Sequence, residues 1–95
     1  IDIIEKDYFR RLNKLETLSL RTNQIKLIEK ESFINLANVF ELNLEQQNLE
    51  FLYPGTFKGL NDLKYLYLSN NNLRNLSNCI FEYLIKLEVL KVEWN

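Results

Sequence analysis

The stretch Leu63-Lys64-Tyr65-Leu66-Tyr67-Leu68-Ser69-Asn70-Asn71-Asn72-Leu73 decides how this chain folds. It has counterparts at a fixed distance: Val39 to Leu49 lies 24 residues earlier, and Leu15 to Ile25 lies 24 before that. Eight columns hold this phase. Leu15, Val39, Leu63 and Leu87 open it, followed by Leu18, Leu42, Leu66, Leu90 and then by Leu20, Leu44, Leu68, Val92. A polar column comes next, with Asn23, Gln47, Asn71 and Asn95. Ile25, Leu49, Leu73 and then Ile28, Leu52, Leu76 follow, and Phe33, Phe57, Phe81 and Leu36, Leu60, Leu84 complete the set. Ile1, Ile4, Phe9 and Leu12 fall on the last four columns. A repeat of this size marks a solenoid, in which each unit buries its apolar face only against its neighbours. Such a stack is usually a binding surface rather than a reaction vessel.

Two geometries meet in each unit. Leu18-Ser19-Leu20 alternates with period 2, so both leucines point one way and the serine the other. The triplet recurs as Leu42-Asn43-Leu44, Leu66-Tyr67-Leu68 and Leu90-Lys91-Val92, predicting short strands that pair in parallel because each is reached by a crossover. The ninth position needs a side chain that satisfies backbone groups as the chain turns inward, and an amide both donates and accepts. Asn23, Gln47, Asn71 and Asn95 are therefore predicted to form a ladder, with Gln47, one methylene longer, as its looser rung. The return arm is heterogeneous. Lys30-Glu31-Ser32 is compatible with a helical turn, whereas Tyr53-Pro54-Gly55 reads as a turn.

The pattern L-x-x-L-x-L-x-x-N-x-L-x-x-L-x-x-x-x-F-x-x-L-x-x resembles a leucine-rich repeat domain over the whole chain. Its length and return-arm Phe resemble the typical subclass, common in extracellular receptors and adhesion proteins. Leu52-Tyr53-Pro54-Gly55-Thr56-Phe57-Lys58-Gly59-Leu60 is close to the usual wording of that subclass's convex side. The resemblance implies an α/β horseshoe: a right-handed solenoid with a parallel concave β-sheet and a mostly irregular or short-helical convex side. Residues 1–95 then form a single domain, with coils at 1–14 (partial), 15–38, 39–62, 63–86 and 87–95 (partial). The chain begins at the eleventh position of a repeat, ends at the ninth and has no polar cap, so it reads as an interior excerpt. Ile1, Ile4, Leu87, Leu90 and Val92 are expected to lie open at the two ends, making the segment weakly stable or sticky when expressed alone.

On a strand whose leucines point inward, the intervening residues face the concave side. The outward columns are Thr17, Glu41, Tyr65, Val89; Ser19, Asn43, Tyr67, Lys91; Arg21, Glu45, Ser69, Glu93; and Thr22, Gln46, Asn70, Trp94. Tyr65, Tyr67, Val89 and Trp94 make the last two strands aromatic, a composition enriched at interface hot spots. Aromatic residues also favour strands for packing alone, which is the bland reading of the same residues. Lys91 is placed to lie over the Tyr67 ring, and Arg21 to pair with Glu45. The candidate ligand-binding set is Tyr65, Tyr67, Val89, Lys91 and Trp94 with the polar Glu41, Asn43 and Glu45 of the middle strand.

The rest of the composition narrows the function. With 12 basic and 13 acidic side chains the net charge is −1, which gives no footprint for nucleic acid. No run of apolar residues is long enough for direct membrane insertion by this segment. There is no His, no paired Cys and no Gly-rich loop, so no catalytic residue, metal site or cofactor is predicted. Cys79, alone, reads as a small semi-buried filler or as the partner of a residue elsewhere. Asn75-Leu76-Ser77 fits the N-glycosylation sequon, making Asn75 a glycan candidate if the protein is secreted. The expected function is protein–protein interaction by an extracellular or cell-surface receptor or adhesion ectodomain, with a protein ligand or co-receptor as partner. The alternatives are a cytoplasmic scaffold or regulatory subunit, or the targeting region of a larger enzyme.

Overall fold

The computed structural model describes residues 2–74 and 76–95. Ile1, expected as an open apolar end, and the glycan candidate Asn75 lie outside the described residues. In chain order the elements are β1 (Ile3–Ile4), β2 (Thr17–Ser19), β3 (Leu27–Ile28), β4 (Glu41–Asn43), β5 (Tyr65–Tyr67), α1 (Asn78–Phe81) and β6 (Val89–Lys91). Strands β2, β4, β5 and β6 form one parallel sheet in that order. Thr17 lies opposite Glu41, Glu41 opposite Tyr65, and Tyr65 opposite Val89, so the register equals the sequence period. Main-chain bonds carry the ladder past the strand ends, with the Leu44 N–H donating to the Tyr67 carbonyl at 2.8 Å and the Gln46 N–H to the Ser69 carbonyl at 3.2 Å.

At the eighth position the chain leaves the strand direction. Thr22, Gln46, Asn70 and Trp94 all have left-handed backbones, with φ of 63°, 57°, 60° and 61°. Only glycine, and to a lesser degree asparagine, takes this conformation readily, so a threonine and a tryptophan there carry strain. Bonds between coils run both ways around the turn. Just before it the Leu20 and Leu44 N–H groups donate to the following coil, at 2.9 and 2.8 Å. Just after it Asn48 donates to the Ile25 carbonyl at 2.9 Å and Asn72 to the Leu49 carbonyl at 2.8 Å, both in the preceding coil.

A second, two-stranded sheet pairs Ile3–Ile4 in parallel with Leu27–Ile28. It was not expected, because two apolar residues are too few to display a period of 2. The pairing buries Ile4 to 1% exposure beside Ile28, against the expectation of an open end. The other end behaves as expected: Leu90 is exposed, and Leu87 and Val92 are half-buried. In the return arm, Lys30-Glu31-Ser32 forms turns instead of a helix, and the short helix falls at Asn78–Phe81. Recurrent three-residue bonds shape each arm, among them Leu36 N–H to Phe33 carbonyl and Leu60 N–H to Phe57 carbonyl, at 3.0 and 3.3 Å.

The core is the set of inward columns. Val39, Leu42, Leu44, Leu49, Leu60, Leu63, Leu66 and Leu68 are fully buried. Behind them Phe9, Phe33, Phe57 and Phe81 stack face to face, at centroid separations of 5.9, 6.1 and 6.3 Å. Gly59 lets two coils approach closely. A Cβ there would meet the Ile34 Cα at 2.5 Å, and its φ of +100° suits glycine alone.

Candidate functional site

The exposed face of the four-stranded sheet is built by alternation. On β4 and β5 the middle leucine is buried while its two neighbours are half-buried, so Glu41, Asn43, Tyr65 and Tyr67 emerge on the opposite side. On β6 Val89 is half-buried and Lys91 exposed. The register sets Glu41 beside Tyr65, Asn43 beside Tyr67, Tyr65 beside Val89 and Tyr67 beside Lys91. Neighbouring strands are about 4.8 Å apart, so these side chains form fixed rows. Seven of the eight predicted residues thus share one surface, with Glu45 just past the end of β4, where the Asn43 Oδ1 accepts its N–H at 2.9 Å.

Four expectations about this face fail. Trp94 does not join the tyrosines: it occupies the left-handed turn, 78% exposed, at the rim beyond β6. Ser69, expected to face outward, is 4% exposed, because its short hydroxyl lies below the level of the longer Glu45 and Glu93 on either side. Among the described residues the ion pairs are Lys6–Glu31, Lys58–Glu31 and Lys86–Asp62, so Arg21 does not pair with Glu45. Among the described residues the cations over aromatic rings are Lys30 over Tyr53 and Lys58 over Tyr83, both on the return arm, and Lys91 does not cover Tyr67.

The ladder behind the face explains its rigidity. The Asn71 Nδ2 donates to the Leu44 carbonyl of the preceding coil at 2.9 Å and to its own Leu68 carbonyl at 3.0 Å, and its Oδ1 accepts the Leu49 N–H at 3.3 Å. Asn95 repeats the pattern, donating to Leu68 and Val92 and accepting from Leu73. Gln47 is not the loose rung. Its Oε1 accepts from both Asn23 and Ile25 at 3.0 and 3.1 Å, and its Nε2 donates to the carbonyls of Leu20 and Glu45. The extra methylene extends the amide far enough into the preceding coil to take two N–H groups, and the side chain is 5% exposed. Among the described residues the Asn23 side chain donates to its own Leu20 carbonyl at 2.9 Å.

Cys79, predicted semi-buried, is exposed on α1, since the one-turn helix points this position outward and buries Ile80 instead. The described residues contain no group of three His, Cys, Asp or Glu placed to hold a metal ion. No helix among them is long and apolar enough to cross a membrane. A surface cavity of about 450 Å³ lies away from the sheet face, lined by Glu5, Lys6, Asp7, Tyr8, Arg10 and Glu29. Opposite charges alternate around it.

No curated protein matches the chain. A family model described as Leucine rich repeat matches it twice, over residues 1–49 and 41–95. Together the two matches span every coil whose rungs and strands are described above, and the chain belongs to the leucine-rich repeat family.

Proposed function

We propose that this chain is a protein-docking module of the typical 24-residue subclass, and that the exposed face of its sheet is the concave side of a horseshoe that receives a protein ligand or co-receptor. Leucine-rich repeat domains generally mediate protein–protein interaction and are non-enzymatic modules. The observation that carries the reading is the two-sidedness of the sheet. Leu42 and Leu66 are fully buried, while Glu41, Asn43, Tyr65 and Tyr67 stay partly open in fixed rows. A surface held this firmly loses little conformational freedom on binding. The Phe column supports the curvature. Its rings are 5.9–6.3 Å apart, against about 4.8 Å between strands, as wedge-shaped coils with the sheet on the inner side would require.

The parent protein is, in this reading, a secreted or cell-surface receptor or adhesion protein, and Asn75 carries a glycan. The exposed thiol of Cys79 favours a second reading, a cytoplasmic scaffold, because a free exposed thiol persists best in a reducing compartment. Surface biotinylation of the intact protein in its own cells separates the two.

The docking reading is tested by placing a benzophenone photo-crosslinker at position 67 in the intact protein, with position 35 on the exposed return arm as the control. A discrete adduct from position 67 and none from position 35 is expected. Replacing Tyr65 and Tyr67 with Ala should then weaken capture of the crosslinked partner about tenfold or more. An adduct from position 35 alone, or unchanged capture by a folded double variant, moves the interface off this face.

A further inference from the structure

We propose that the occupant of this face is a basic protein segment, and that an arginine side chain from it seats between β4 and β5, against Glu41, Glu45, Tyr65 and Tyr67. This deepens the docking reading above and rests on it. Three observations converge. Glu41 lies directly across from Tyr65 in the register, with Tyr67 two residues further along the same strand and on the same side. Carboxylates and two half-buried phenol rings therefore share one stretch of sheet. Secondly, among the described residues neither Glu41 nor Glu45 has an ion-pair partner, although cations stand on both flanks. Arg21 is exposed on the coil before and Lys91 is exposed on the strand after. Thirdly, the parallel ladder and the amide rungs behind it fix the backbone positions from which all four side chains project.

A guanidinium fits this arrangement better than any other common side chain. It is planar, so it stacks on a tyrosine face, and its fork of donors meets a carboxylate through two hydrogen bonds at once. A lysine would gain the charge attraction without the stacking or the fork. An acidic segment would meet Glu41, Glu45 and Glu93 with nothing on β4 or β5 to offset the repulsion. The neighbouring Arg21 and Lys91 confine the site laterally, since a cation displaced by one strand toward either would meet like charge. The partner chain would therefore cross the sheet with its basic residue over β4 and β5.

The test uses the intact protein and two fluorescent probes: a peptide of alternating arginine and glycine, and the same peptide with each arginine replaced by neutral, isosteric citrulline. Anisotropy should show the arginine peptide binding and the citrulline peptide binding about tenfold more weakly or not at all. The paired variant Glu41→Gln with Glu45→Gln should weaken the arginine peptide by about tenfold. Glu50→Gln with Glu82→Gln removes the same charge from the exposed return arm and should leave the affinity within about twofold. Replacing Tyr65 and Tyr67 with Leu, which keeps bulk and removes the ring faces, should weaken the arginine peptide while circular dichroism stays that of the parent. The proposal is overturned if the arginine peptide does not bind, if citrulline substitutes for arginine, or if the two glutamine pairs act alike. An adduct from position 67 together with any of those results would leave docking in place and remove the basic partner alone. Loss of the adduct as well would remove both.

Discussion

Replacing Asn71 with Ala should destabilise the protein by about 3 kcal/mol, because the methyl group leaves two buried main-chain groups without partners. The Leu44 carbonyl loses the Asn71 Nδ2 at 2.9 Å, and the Leu49 N–H loses the Oδ1 at 3.3 Å. The third partner is partly insured, since the Leu68 carbonyl also accepts from the Asn95 Nδ2 at 3.1 Å. Each orphaned buried group costs about 1–3 kcal/mol, and at about 1.5 each, toward the lower end of that range, the two give about 3. For a domain of this size that corresponds to a fall of about 12–24 °C in melting temperature. Two companions isolate the cause. Asn71→Gln should stay within about 1.5 kcal/mol of the parent, since Gln47 already spans the same gap from its own coil. Asn23→Ala should cost less than about 1 kcal/mol, because that amide is exposed and donates to a Leu20 carbonyl that Gln47 also serves. Urea unfolding of the intact protein gives the energies, and amide exchange at Leu49 reports the local opening. If Asn71→Ala and Asn23→Ala agree within about 0.5 kcal/mol, or if exchange at Leu49 is unchanged, the rungs are not what holds the coils.

Three further outcomes are expected. Phe57→Ala, which removes a fully buried ring stacked on both sides, should cost about 3–5 kcal/mol in urea unfolding, while Phe81→Ala, half-buried and stacked on one side, should cost clearly less. Gly59→Ala should lower stability by about 2 kcal/mol or more, because the added Cβ would sit 2.5 Å from the Ile34 Cα at a φ of +100°; a neutral result would show that the two coils can part without loss. Trp94→Asn should raise stability by about 1 kcal/mol, since asparagine tolerates the left-handed turn and the indole is 78% exposed; a loss of stability would mean that the ring is packed in a way its exposure does not suggest.

The sheet was legible in the sequence and the return arm was not, for a physical reason. Leu66-Tyr67-Leu68 and its counterparts must present both leucines to one side, so period 2 within period 24 leaves a single register, the one observed. No such alternation constrains Lys30-Glu31-Ser32 or Ser77-Asn78-Cys79, where bonds between residues three apart serve a turn as well as a helix. Local propensity therefore misplaced the helical turn and the exposure of Cys79. Asn70 alone carried a readable signal for the left-handed eighth position, and Trp94 and Thr22 disguised it, which is why Trp94 was grouped with the tyrosines. Gln47 was misread because length was equated with looseness; a longer amide reaches further and makes more bonds. The rows of Glu41, Asn43, Tyr65, Tyr67, Val89 and Lys91 followed from strand parity alone. The pairings of Lys91 and Arg21 depended on side-chain torsions that no pattern encodes.

The rungs also set a grammar for how such a chain can lengthen. Asn71 must find the sixth residue of the coil before it for its donor and the eleventh for its acceptor, so the arc from Leu44 to Leu49 has a fixed residue count. One residue inserted there would put every later rung out of step with its partners. The stretch around Pro54-Gly55 carries no rung: its Gly55 carbonyl accepts the Glu31 N–H of the coil before, yet its backbone is a turn in one coil and a helix at the corresponding place, Asn78–Phe81, in the next. Small insertions belong on that outer arc, whereas the inner arc changes only by gaining or losing an entire coil.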